Sequence, residues 1–247
     1  MKIAAVICAR MGSTRFPGKA TALLAGMPMV ALIRMRCGWI TIYNEIVLAI
    51  PDTAENDCLA DMFPDDNVYR GSETDVLSRM IGAAESVGAD YIYRITADNP
   101  IVDPVVMLEV LDAVHDYTTV VGLPQGLQPE FMSVDALKRL SEIADTPYFR
   151  EHPTQGFYKW QDRFKLNLIE NDTILLWPRN RDYRLTVDTP EDHDMMSKVF
   201  KALGLFATLD EVIHFLDKNP EIARMNATVH QEARIGDIGT VPPHREG

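Results

Sequence analysis

Apolar and polar positions along the chain follow two alternating periods. Apolar runs of strand length occur at 2–8 (K-I-A-A-V-I-C), 45–50 (E-I-V-L-A-I), 67–69, 91–95 (Y-I-Y-R-I) and 118–122. Between them lie stretches of helical period. Residues 29–38 read as a helix ended by Gly38, and 54–62 as a second helix. Over 74–87, Val76, Leu77, Met80, Ile81 and Ala84 share one face, and Gly88 stops the helix. Residues 105–114 continue the pattern as a further helix. Strands that alternate with helices predict an α/β fold with a mostly parallel central sheet and helices on both faces.

After Leu123 the alternation loosens. A helix is expected over 134–143 with Ser133 as its cap, a mixed aromatic stretch over 148–160, and an alternating strand over 164–169. A short strand over 184–187 leads into a helix over 190–203 that opens on Thr189-Pro190, and 209–216 is a last helix. The chain reads as one domain over 1–226 and an irregular tail over 227–247.

The 247 residues suit one large α/β domain. With 36 acids against 24 bases the net charge is −12, a surface that repels nucleic acid and anionic membrane. An anionic substrate must then be held by a local cluster of positive charge. No run reaches transmembrane length, and no signal-peptide pattern opens the chain. Cys8, Cys37 and Cys58 are odd in number and widely spaced, which points to reduced thiols, a cytoplasmic location and no zinc site.

That positive cluster follows the first strand. Residues 8–19 (C-A-R-M-G-S-T-R-F-P-G-K) carry Arg10, Arg15, Lys19, Ser13 and Thr14 with Gly12 and Gly18. A loop at the carboxyl end of the first strand is where open α/β sheets bind ligands. Cations, hydroxyls and free backbone N–H groups suit a polyanion such as a triphosphate. The loop is not a P-loop, because Ala20 stands where a hydroxyl is needed, and it is not G-x-G-x-x-G. Two carboxylates also follow strands: Asp98 in R-I-T-A-D-N-P and Asp188 in L-T-V-D-T-P-E-D. Each suits a hard cation. Each also has a plainer reading, Asp98 as a turn residue before Pro100 and Asp188 as a cap of the helix beginning at Pro190.

The first loop resembles the signature A-R-x-x-S-T-R-[LF]-P-G-K of cytidylyltransferases that make CMP-activated acidic sugars, the Kdo and acylneuraminate enzymes among them. The closer likeness is to the spore coat polysaccharide biosynthesis protein F family, and it runs from Met1 to about Asn226. The resemblance implies a Rossmann-like nucleotide-diphospho-sugar transferase fold, CTP and an acidic sugar as substrates, Mg²⁺ as cofactor, and a homodimer. It assigns Ala9, Arg10, Gly12, Ser13, Arg15 and Lys19 to the nucleotide, with Arg10, Lys19 and Asp98 catalytic. Asp98 matches the metal-binding aspartate of the family's R-I-T-G-D-C-P, with Ala97 and Asn99 departing. Asp188 matches the aspartate that completes the metal site in W-T-V-D-T-P-E-D.

Further stretches extend the likeness. R-G-S-E-T-D-V-L-S-R is similar to the family's R-G-S-E-D-D-V-L-D-R, which places Arg70, Gly71 and Ser72 near cytosine and ribose, with Asp75 read first as a helix-start residue and second as a nucleotide contact. On the acceptor side, Glu130 matches a G-L-D-x-E-x pattern in which Gln128 replaces the aspartate. Arg150 and His152 match the family's R-E-H, and the resemblance gives region 123–170 to the sugar side and subunit contact. Two other readings stay open at this point. One is a nucleotidyltransferase with a different base or a non-sugar acceptor; the other is a non-catalytic nucleotide-binding homologue.

Overall fold

The computed structural model of the chain describes residues 1–171 and 181–229. Its strands are β1 (Ile3–Cys8), β2 (Leu23–Leu24), β3 (Met27–Pro28), β4 (Glu45–Pro51), β5 (Asn67–Gly71), β6 (Tyr91–Thr96), β7 (Tyr117–Val121), β8 (Glu130–Ser133) and β9 (Leu166–Glu170). The helices are α1 (Met29–Cys37), α2 (Asp57–Asp61), α3 (Val76–Ser86), α4 (Pro104–Glu109), α5 (Val134–Ile143), α6 (Pro147–Glu151), α7 (Pro153–Lys159), α8 (Pro190–Leu203), α9 (Leu209–Lys218) and α10 (Pro220–Ala223).

Seven strands form one sheet in the order β5-β4-β1-β6-β8-β7-β9. β1 is parallel to both β4 and β6, so Cys8 sits opposite Ala49 on one side and Thr96 on the other. β8 runs antiparallel to β6 and to β7, while β9 is parallel to β7. Strands buried on both faces read as continuous apolar runs. β1 does, with Ala4, Ala5, Val6 and Ile7 fully buried. The sheet separates two apolar cores. One holds the inner faces of α1, α4, α8 and α9, for example Leu32, Met107, Val199 and Val212. The other holds those of α3, α5 and α7, with Leu77, Met80, Leu137 and Phe157.

Several expectations are corrected in detail. The helix expected over 105–114 ends at Glu109, although it begins as expected, capped by Asp103, whose carboxylate accepts from Val105 N at 2.9 Å. The helix expected over 54–62 is a 3₁₀ turn (Ala54–Asn56) followed by the short α2. The mixed stretch 148–160 folds as α6 and α7, each opened by a proline at its first turn. β8 lay in a stretch read as acceptor loop. Four residues are too few to show an alternation, and Ser133 both ends this strand and caps α5.

The strand expected over 184–187 is not a sheet strand. It is an extended segment held by single bonds: Leu185 N donates to Gln125 O at 2.9 Å and Val187 N to Asp98 O at 2.8 Å. Gly126 makes room for it. Its φ is +100°, and a Cβ there would lie 2.5 Å from the Leu185 carbonyl carbon and the Thr186 nitrogen. Of the tail, residues 230–247 lie outside the described residues.

Candidate active site

The carboxyl ends of β1, β6 and β7 open into a cleft of about 330 Å³. The loop after β1 lines it with Ala9, Arg10, Ser13, Arg15 and Lys19, and its floor carries Arg79, Arg94 and Asp98. Glu130, His152, Gln155 and Tyr158 form the opposite wall, and Thr186 and Asp188 close one end. The loop is shaped by its own backbone. Ser13 N and Gly18 N both donate to Met11 O, and Met11 N donates to Asn56 Oδ1 at 2.9 Å. Gly18 adopts φ +71°, which glycine tolerates without strain, and it opens the 3₁₀ turn that starts at Lys19.

Lys19 is the centre of the site. Its Nζ lies 3.0 Å from Asp98 Oδ2 and 2.6 Å from Asp188 Oδ1. Burial works against the charge on Lys19, yet Asp98 and Asp188 outweigh it and hold its pKa above the ordinary lysine value. The other oxygen of Asp188, Oδ2, accepts from Arg15 at 3.1 Å and from Arg184 at 3.3 Å. The plainer reading of Asp188 is therefore set aside. The cap of α8 is Thr189, which forms a reciprocal capping box with Asp192, and the Asp188 carboxylate points into the cleft cluster instead. Behind it, fully buried Asp192 accepts from Arg184 Nε at 2.8 Å and from Asn226 at 2.8 Å, which fixes the Asp188 segment.

Asp98 is presented by a tight turn after β6. Asn99 N donates to Thr96 O at 3.1 Å, and its side chain donates to Thr96 Oγ1 at 2.8 Å. Asn99 thus closes the turn, and Ala97 N ties it to β1 through Cys8 O at 3.0 Å.

Two carboxylates that share one ammonium have oxygens within reach of a single hydrated divalent ion. Among the described residues no group of three or more His, Cys, Asp or Glu side chains could hold a metal. A pair of hard oxygen donors fits Mg²⁺, which keeps several waters and takes other ligands from phosphates.

Arg94 Nη1 donates to Glu130 Oε2 at 2.5 Å, and Tyr117 OH donates to Glu130 Oε1 at 2.9 Å. The antiparallel β8 creates this pair, since Arg94 and Glu130 are direct cross-strand partners. Burial opposes the Arg94 charge, but Glu130 outweighs it and raises the Arg94 pKa; burial, then Glu130, lift that of Tyr117. Burial also lifts the pKa of Cys8, which lines the floor, against the opposing pull of Arg94 and Arg79.

The structure brings together Ala9, Arg10, Ser13, Arg15, Lys19, Asp98, Glu130, His152 and Asp188. It does not bring Gly12, Arg70, Gly71, Ser72, Asp75 or Arg150 to the cleft lining. Arg70 is paired with Asp57 at 2.7 Å. Asp75 caps α3 through Ser78 N and also receives Arg150 Nη1 at 3.2 Å. Arg150 makes further bonds to Ala144 O and Ser141 O, so its guanidinium ties α6 to α5 and α3. Ser72 shapes the rim through its carbonyl, which accepts from Arg79 Nη1. Sequence reasoning missed Arg79, Arg94 and Tyr117. Arg79 and Arg94 lie inside a helix and a strand and Tyr117 opens β7, where the local pattern reads as structure, and the pairing of Arg94 with Glu130 depends on the strand order.

A mostly parallel sheet with this phosphate-suited loop and two facing carboxylates at its carboxyl edge defines a Rossmann-like nucleotidyltransferase. A family profile described as cytidylyltransferase matches residues 4–232. The spore coat polysaccharide biosynthesis protein SpsF of Bacillus subtilis is 31% identical over 235 residues, covering 88% of this chain and 95% of that one. An uncharacterized protein of Methanocaldococcus jannaschii is 30% identical over 244 residues, covering 94% and 98%. Among solved structures, a cytidylyltransferase from Leptospira borgpetersenii superposes with a TM-score of 0.82 at 26% identity, over 94% of this chain and all of that one. The chain belongs to the cytidylyltransferase family and is a nucleotidyltransferase.

Proposed function

We propose that the protein transfers the cytidylyl group of CTP to a hydroxyl of an acidic sugar and releases pyrophosphate, for surface polysaccharide or glycan synthesis. The observation that carries this reading is the Lys19 ammonium between Asp98 and Asp188, with Arg15 on the same carboxylate, inside the cleft at the sheet's carboxyl edge. Lys19, Arg15 and Arg10 hold the triphosphate and stabilise charge on the departing pyrophosphate. The acceptor hydroxyl gives up its proton to water, its oxygen bonds to the α-phosphorus, and the bond from that phosphorus to the bridging oxygen breaks to release pyrophosphate, so no covalent enzyme intermediate is needed. Asp98 and Asp188 would hold Mg²⁺, which when bound supplies positive charge to the phosphate oxygens. Ala9, Val76 and Arg79 line the end of the cleft beside the rim formed by Ser72, and this end receives the base. Cytosine presents a donor where uracil presents an acceptor, so a pocket fitted to one leaves an unpaired group with the other.

The acceptor lies against Glu130, His152, Gln155 and Tyr158. With Arg150 engaged elsewhere, Arg94 is the floor cation that a sugar carboxylate meets. The working unit is a homodimer in the cytoplasm, which sedimentation and fractionation check. The test of function is pyrophosphate release with each of the four nucleoside triphosphates, Mg²⁺ and a panel of ulosonic acids. CTP is expected to support turnover with at least one of them. Equal turnover with UTP, or turnover only with acceptors that lack a carboxylate, sinks the reading.

A further inference from the structure

The cation position between the two aspartates is already filled by the chain itself. Lys19 Nζ touches both carboxylates at 3.0 and 2.6 Å, and its side chain is only 15% exposed. Arg15 and Arg184 lie on the second oxygen of Asp188. Asp98 and Asp188 therefore meet Lys19, Arg15 and Arg184, and Arg184 is shared with the buried Asp192. We infer that Lys19 is a resident counter-ion of the metal position, and that a divalent ion enters only together with a triphosphate. This inference rests on Asp98 and Asp188 being the metal carboxylates.

The argument is one of charge and of available partners. A divalent ion arriving alone must displace the ammonium from both of its carboxylates. It then leaves that ammonium beside a dication, in a site where burial strengthens like-charge repulsion. Counting Asp192, which pairs with Arg184, the three carboxylates balance the three cations, and a lone dication takes the cluster from neutral to two net positive charges. A triphosphate removes both obstacles. Its oxygens give Lys19 and Arg15 new partners, and its negative charge offsets that of the entering dication. The carboxylates are freed as the ammonium turns to phosphate. A rigid structural salt bridge would behave differently, because neither ligand would change access to the other.

The probe is Mn²⁺ as a stand-in for Mg²⁺, with protein-retained manganese measured by equilibrium dialysis of the full chain at neutral pH. The wild type is expected to retain little Mn²⁺ alone and to retain it at least ten-fold more tightly when CTP is present. Lys19→Met, which keeps length and loses charge, is expected to retain Mn²⁺ without nucleotide at least ten-fold more tightly than the wild type. Asp98→Asn in that background should abolish the gain. Should Lys19→Met fail to fold, the wild type still decides the matter by thermal shift: Mn²⁺ alone leaves Tm unchanged, whereas Mn²⁺ with CTP raises it beyond CTP alone.

Mn²⁺ binding to the wild type as tightly without CTP as with it overturns the inference. So does a folded Lys19→Met that gains no Mn²⁺ while the wild type with CTP retains it through Asp98; the metal reading then survives. If no manganese is retained even with CTP, the metal assignment of Asp98 and Asp188 falls and takes the inference with it.

Discussion

The part-buried pair Arg94–Glu130 ties the stability of the fold to the lining of the cleft. Its side chains are 18% and 12% exposed. Removing one partner leaves the other charge uncompensated, so Arg94→Gln should destabilise the fold by about 3–5 kcal/mol. Arg94→Gln with Glu130→Gln should recover much of that loss while acceptor KM stays raised, which denaturant titration and kinetics read separately. Asp98→Asn and Asp188→Asn keep shape and remove charge. Each should lower turnover by about 10²-fold or more, the scale of a lost electrostatic contact at a reacting centre, with circular dichroism unchanged. An active Asp188→Asn enzyme would sink the shared site. For Lys19 the sign of the pH effect follows from its raised pKa. Its bridge contributes fully at pH below the ordinary lysine value of 10.5 and is lost as pH rises through the higher folded value. The stability gap between wild type and Lys19→Met, measured by urea unfolding, should therefore be level from neutral to mildly alkaline pH and shrink only above that point.

At the scale of elements, the segment that carries Asp188 depends on Gly126. Gly126→Ala imposes a strained φ and drives a methyl into the Leu185–Thr186 backbone. It should cost more than about 1 kcal/mol and depress turnover far more than CTP binding, because Arg10 and Arg15 remain in place. Equal losses in both would count against this segment as the carrier of the carboxylate. The apolar runs of β1, β4 and β6 were legible in the sequence because burial on both faces writes an uninterrupted pattern. The first loop and Asp98 were legible because they follow β1 and β6, whereas Asp188 follows the short 184–187 segment and stood out through the T-V-D-T-P-E-D likeness. β8 was not, since four residues carry no period. Nor was the bonding of the 184–187 segment, because an extended stretch tied by two lone bonds has the same local sequence signature as an edge strand. Arg150 looked like a substrate cation because nothing nearby in sequence betrays its partner Asp75, seventy-five residues away.

For the whole molecule, net charge and cleft charge act in opposite directions. The chain carries −12, and the cleft cations are already paired with Asp98, Asp188 and Glu151. At a distance an incoming nucleotide meets net repulsion. Stopped-flow association of CTP should therefore quicken as salt rises from about 10 to about 150 mM, where the screening length shrinks from about 30 to about 8 Å. Slower association with added salt would show that the cleft's own field reaches further than its internal pairing allows. The general architecture was readable from alternation alone, whereas the single reversed strand was not, because strand order is a property of tertiary packing. Lys19 and Asp188 are 169 residues apart in sequence yet in direct contact. A ribosome delivers the first loop 169 residues ahead of the second carboxylate. A nascent chain can thus complete β1, β4, β5 and β6 while Lys19 still waits for Asp188, so the two sides of this cluster meet only after the sheet's first strands exist.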